Sequence, residues 1–209
     1  AQQHFPHSLT YRAIVHQMAA ATFGTTLATL RALVGTRATL TRRVEADDTQ
    51  HTCTARLNAM PYARKVENTN HIEIGLTFAQ LTPWAGPTIS SSGTPGVSTN
   101  VPNGGNLPQT DVVITLTAAA STLTDPTFTG PGSVLTWTGT IPTYGVLQID
   151  CGARQVLLDG ANAYSGLSLG VLHTREQWFT LEPGNNVLLI GDVAWTTATW
   201  TVTFKERWA

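Results

Sequence analysis

A chain of 209 residues can bury one medium core or two small ones, and its 12 Lys+Arg against 13 Asp+Glu leave a formal net charge of -1. No basic stripe is present, which excludes sequence-driven nucleic-acid binding. Only 12% of residues are charged, about half the share usual in a soluble globular domain, while Thr, Val and Gly recur; β-structure and a surface covered by neighbours are expected.

No apolar run approaches the ~18 residues a membrane span requires, and the start, "AQQHFPHS", lacks a signal peptide's apolar stretch. A soluble chain made in a reducing cytosol, without membrane insertion, is expected. Cys53 and Cys151 stand far apart, in no metal-ligand spacing and no CxxC pair. Each reads as a small buried hydrophobe rather than half of a bridge.

Taken in chain order, "LTYRAIVHQM" alternates Leu9, Tyr11, Ala13 and Val15 against Arg12, Ile14 and His16, a strand pattern. In "TTLATLRALVG", Leu27, Leu30, Leu33 and Val34 fall at helical spacing, Thr25 or Thr26 can cap the start, and Gly35 suits a left-handed stop. Next, "TRATLTRRVEA", the polar turn "DDTQ" and "HTCTARLNAM" predict a hairpin. The strand "NHIEIGLTFAQL" places Ile72, Ile74, Leu76 and Phe78 on a packed face and Glu73, Gly75 and Thr77 on a polar one.

From Thr82 to Thr110 the composition turns to Pro, Gly, Ser and Asn with almost no charge. This predicts a linker, placed at residues 87–110. Beyond it, short strand patterns follow one another from "DVVITLTA" to "TATWTVTFKERW", which predicts a sandwich or jelly roll. In the last strand Ala198, Trp200, Val202 and Phe204 share a face. In "WFTLEPGNN", Pro183 and Gly184 specify a type II turn, with Trp178 and Leu181 on the strand entering it and Val187 and Leu189 on the strand leaving it. Trp178 reads as a core or interface anchor, with a stacking platform as the alternative.

No catalytic constellation emerges. Asp150, Asp159, Glu176 and Glu182 are the acids available for a glycosidase pair, but Asp150 ends a strand, Asp159 precedes Gly160 in a turn and Glu182 precedes Pro-Gly. No GxSxG, phosphate loop or paired nucleophile and base is present. His4 and His7 have a metal-compatible spacing but lack Cys or acidic partners, and the remaining histidines do not group, so no metal and no cofactor is expected. Basic residues of the first half outnumber its acids, and "RRVEADD" supplies both signs; Arg42, Arg43, Asp47, Asp48 and Arg64 are the interface candidates, as inter-subunit ion pairs.

The phrases "GNLPQTDVVITLTA", "DPTFTG", "LTWTGTIPTYGVLQIDCGARQVLLDG", "WFTLEPGNNVLLI" and "ATWTVTFKERWA", in this order, resemble the distal tail proteins of long-tailed siphophages. The helix "LATLRALVG", the "TARLNAMPYARK" hairpin and "IEIGLTFAQLTPWAG" look similar to that family's ring-forming belt. The resemblance implies a mainly β chain: a β-barrel-like belt domain with one α-helix over residues 1–86, shorter before its helix than in many relatives, and a galectin-like or jelly-roll β-sandwich over 111–209. It further implies a homohexameric ring at the virion tail tip or baseplate, assembled in the host cytoplasm. Such a ring joins the tail tube protein to the tail-tip hub or fibre protein, and its lumen passes DNA without gripping it. Two other readings stay open. In one the sandwich is a lectin-like host-recognition module using Trp137, Tyr144, Tyr164 or Trp178; in the other the chain is a tail-tube or tail-terminator ring subunit.

Overall fold

The computed structural model describes residues 8–15, 25, 28–44, 48–61, 63–65, 72–172, 175–176, 178–191, 195 and 198–209. It divides into two compact units, Ala1–Ala85 and Gly86–Ala209. The chain is mainly β, as the sequence predicts.

The first unit contains β1 (Ser8–Val15), β2 (Arg37–Arg43), β3 (Gln50–Ala59), β4 (Ala63–Lys65) and β5 (Ile72–Gln80). β5 is central. It pairs antiparallel with β1 from Ser8↔Ala79 to Val15↔Ile72, and along its other edge with β3 and then β4. β2 pairs with β3 from Arg37↔Arg56 to Arg43↔Gln50, the hairpin predicted around "DDTQ".

"TARLNAMPYARK" is not a hairpin. β3 and β4 both run antiparallel to β5 and hence parallel to each other, with a register shift between Leu57 and Ala59. Pro61, which has no N–H to give a ladder, stands in the gap between them. β5 also differs from its predicted one-sided burial: Glu73 and Ile74, neighbours of opposite parity, are both buried, as are Ala79 and Gln80. A central strand covered on both faces must satisfy its polar groups internally, and Nε2 of Gln80 donates to the Thr82 carbonyl at 2.9 Å.

The predicted helix is present over residues 28–32. Gly35 ends the segment at φ 91, in the left-handed region foreseen for it, and its N–H donates to the Leu57 carbonyl at 2.7 Å. Its apolar stripe is not fully covered. Leu33 is 45% and Val34 40% exposed.

β6 (Trp84–Gly93) carries the chain into the second unit, which continues with β7 (Thr99–Asn103), β8 (Val113–Thr117), β9 (Leu123–Thr124), β10 (Thr127–Gly130), β11 (Ser133–Trp137), β12 (Thr140–Ile141), β13 (Val146–Asp150), β14 (Gln155–Leu158) and β15 (Ala161–Asn162). A 3-10 turn at Tyr164–Gly166 precedes β16 (Leu167–Leu169), β17 (Val171–Leu172), β18 (Arg175–Glu176), β19 (Gly184–Ile190) and β20 (Thr199–Trp208). Within this unit one sheet runs β6-β20-β8-β13-β14-β15 and the other β16-β11-β10-β19-β7. The core lies between them. Ile114, Leu147, Trp200 and Val202 come from the first sheet and Phe128, Leu135 and Leu188 from the second, each 1% exposed or less.

Residues 87–110, expected as a linker, instead supply most of β6 and all of β7. Of the prolines that suggested a linker, Pro102 sits in β7, the edge strand of its sheet, where a missing N–H is tolerated, and Pro87 lies in β6 two residues beyond Ala85, where β6 pairs with β3. The closing strand is as predicted, with Ala198, Trp200, Val202 and Phe204 all buried. After the "EPGN" turn the buried face is Asn186, Leu188 and Ile190, leaving Val187 61% and Leu189 36% exposed. Trp178 does not stand on a strand; residues 178–180 are an irregular run before the Leu181↔Gln109 bridge.

Candidate functional site

Three buried carboxamides fix the loops at one end of the sandwich. Asn186 accepts the Glu182 N–H at 2.8 Å and donates to the carbonyls of Glu182 (2.9 Å), Gly184 (3.1 Å) and Val101 (3.2 Å). Asn103 donates to the carbonyls of Leu107 and Leu181 and accepts the Gly105 N–H. Nε2 of Gln109 donates to the Leu107 carbonyl at 2.9 Å, while its backbone exchanges both hydrogen bonds with Leu181. These side chains replace the missing backbone ladder across two loops distant in sequence. The predicted turn has its chemistry: Gly184 lies at φ 93.

Beside this scaffold a cleft of about 740 Å³ opens among four connecting segments, residues 110–111, 131–133, 151–154 and 178–182. Trp178 supplies its aromatic surface, and Asp111, Arg154 and Glu182 its charged groups. Asp111 forms an ion pair with Arg207 of the closing strand. Ser133, 8% exposed, brings an Oγ with no hydrogen-bond partner. Cys151 also lines the cleft; burial, the largest cause, pushes its thiol up to about 12, against a backbone hydrogen bond from Phe179, so it is protonated at neutral pH and is no nucleophile there.

The four aromatic candidates separate. Trp137 is 5% exposed, its Nε1 donating to the Ala163 carbonyl at 2.9 Å, so it is core and no platform. Tyr144 is 73% exposed in the turn before β13, at φ 61. Tyr164 and Trp178 come together, ring centroids 6.1 Å apart and planes tilted by 34°, with Tyr164 45% exposed. Sequence reasoning missed Asp111, Ser133 and Arg154 as their neighbours, because the fold collects them from remote turns without a spacing signal. The turn explanations of Asp159 and Asp150 hold. Oδ1 of Asp159 accepts the Val146 N–H at 2.7 Å and Oδ1 of Asp150 the Ala153 N–H at 2.8 Å.

Three of the interface candidates of the first unit, Arg42, Arg43 and Asp48, have intrachain partners. Arg43 pairs with Asp48 across the β2–β3 turn, both side chains about two-thirds exposed (67% and 69%). The Arg42 guanidinium lies 4.5 Å from the Trp84 ring centroid, and its Nη2 donates to Nδ1 of His51 at 3.2 Å. Arg64 stands opposite Glu73 in the β4–β5 register. Asp47, like His4, His7 and His16, lies outside the described residues. Burial pushes the Cys53 thiol up, the Arg42 charge pulling it down, and both cysteines are free and buried. Among the described residues no group of three His, Cys, Asp or Glu side chains is placed to hold a metal.

Residues 105–208 match the family described as Siphovirus-type tail component, C-terminal domain. The chain belongs to the siphophage distal tail protein family. It is a structural component of a phage tail. Among solved structures, SPP1 Dit (gp 19.1), described as a paradigm of the hub adsorption apparatus in phages infecting Gram-positive bacteria, is similar with a TM-score of 0.66 and 15% identity, over 96% of this chain and 79% of that one. The baseplate of phage p2 in its activated conformation, with Sr and with Ca, gives a TM-score of 0.37 and 8% identity over 97% of this chain and 80% of that one. No curated protein matches the chain.

Proposed function

We propose that the chain is the subunit of a homohexameric ring at the distal end of a siphophage tail. The first unit, residues 1–85, acts as the belt, and the second, residues 86–209, as a sandwich domain. The ring joins the tail tube protein to the hub or fibre protein and leaves a channel through which DNA passes. The observation that carries this reading, beside the family match, is that the first unit's sheet has two unlike edges: among the described residues β1 pairs only with β5, and β2 only with β3. Unlike edges at the two ends of one sheet are what a head-to-tail interface needs, and such an interface closes into a ring when its rotation permits.

Negative-stain electron microscopy of the chain at high micromolar concentration tests this directly. Closed six-membered rings with a central hole are expected, and addition of the tail tube protein should lower the concentration at which they form. A monomer that stays monomeric with the tube protein present overturns the reading.

A further inference from the structure

We infer that the cleft bordered by Trp178 binds a neutral saccharide chain. Its volume, about 740 Å³, falls within the ~300–1,000 Å³ typical of ligand sites. Its walls are connections between strands held by a rigid sandwich, the usual position for binding groups. The wall formed by residues 178–182 is fixed by the buried Asn103 and Asn186, which bond to Leu181 and Glu182, so little ordering of that side is required on binding.

The chemistry of the walls selects the ligand. An aromatic ring offers its face to the C–H side of a pyranose, and Tyr164, 6.1 Å away and 45% exposed, extends that surface. Around it stand both kinds of partner a hydroxyl needs: carboxylate acceptors on Asp111 and Glu182, a guanidinium donor on Arg154, and the hydroxyls of Thr110 and Thr180. Ser133 adds a buried Oγ without a partner. With Asp111 neutralised by Arg207, Glu182 and Arg154 balance each other, so the walls offer no net positive charge to a polyanion such as a phosphate-linked glycopolymer. A peptide added as a strand would need a free sheet edge, and turns line most of this cleft.

The inference does not rest on ring formation, since the cleft lies wholly within the second unit. The test titrates the full chain with neutral gluco- and galacto-trisaccharides and, separately, with poly(glycerol phosphate), following saturation-transfer NMR. At least one neutral trisaccharide should bind with Kd of about 1 mM or tighter. Trp178→Ala and Tyr164→Ala should each weaken it about tenfold, Glu182→Gln by about the same factor, and Tyr144→Ala should leave it unchanged. Because Trp178 also packs on the core, Tyr164→Ala and Glu182→Gln decide the matter if Trp178→Ala fails to fold. Absence of binding by every neutral probe, binding indifferent to Tyr164→Ala and Glu182→Gln, or salt-sensitive binding of the polyanion alone would each overturn the inference.

Discussion

Cys151 shows how a single side chain reports its surroundings. Its thiol is held protonated up to about 12 in the fold, against an ordinary 9.0, chiefly by burial. Above pH 9 the unfolded chain releases a proton that the fold retains. Stability is therefore intact below that pH and is lost as pH rises toward 12, by about 1.4 kcal/mol per pH unit from this group. Urea unfolding at about pH 8 and about pH 10.5 checks it: Cys151→Ala starts from lower stability but should fall less steeply with pH than the parent. Equal slopes would mean that the thiol meets water in the native state. Two tryptophans carry the same lesson about context: Trp137 and Trp178 look alike in sequence, yet the first is sealed in the core and the second lines the cleft.

At the scale of elements, the "EPGNN" turn separates backbone chemistry from side-chain chemistry. Gly184 lies at φ 93 with nothing within 4 Å of an added Cβ, so Gly184→Ala meets only backbone strain, about 1–2 kcal/mol. Asn186→Ala removes four hydrogen bonds from a buried position and should cost more, about 2–4 kcal/mol. Chemical denaturation of both variants gives the ranking; a larger loss for Gly184→Ala would place the turn's stability in its backbone alone. This turn was legible in the sequence because Pro-Gly fixes dihedrals locally, and so were the β2–β3 hairpin and the closing strand with its period of two. The role of Asn186 was not, because its partner Val101 is 85 residues away. The strands β6 and β7 were hidden for the opposite reason. Their Pro, Gly and Ser composition is that of a linker, and only pairing with β20 and β19 makes them strands. The cleft was legible in one part: Trp178, which lines it, and Tyr164, 6.1 Å from that ring, stood among the candidates, but nothing local distinguishes them from Trp137 and Tyr144.

For the whole molecule, the open issue is which force closes the proposed ring. The sequence suggests ion pairs among Arg42, Arg43, Asp47, Asp48 and Arg64, whereas Arg43 and Asp48 already satisfy each other and Arg42 is engaged with Trp84 and His51. Among the described residues of the first unit, the apolar surface at Leu33 and Val34 and the backbone edges of β1 and β2 are left uncovered. An assembly held by charge dissociates at about 1 M salt, where the Debye length falls to about 3 Å; one held by apolar contact and backbone pairing does not. Rings should therefore persist in about 1 M NaCl by sedimentation. The double substitution Leu33→Asp and Val34→Asp should shift the population to monomer while the unfolding midpoint stays close to the parent's, because exposed positions contribute little to the fold of the isolated chain. Rings that dissolve in salt yet survive the double substitution would return the interface to the charged hairpin. Persistence in salt with loss on substitution would place it at the helix, on the uncovered apolar stripe of Leu33 and Val34.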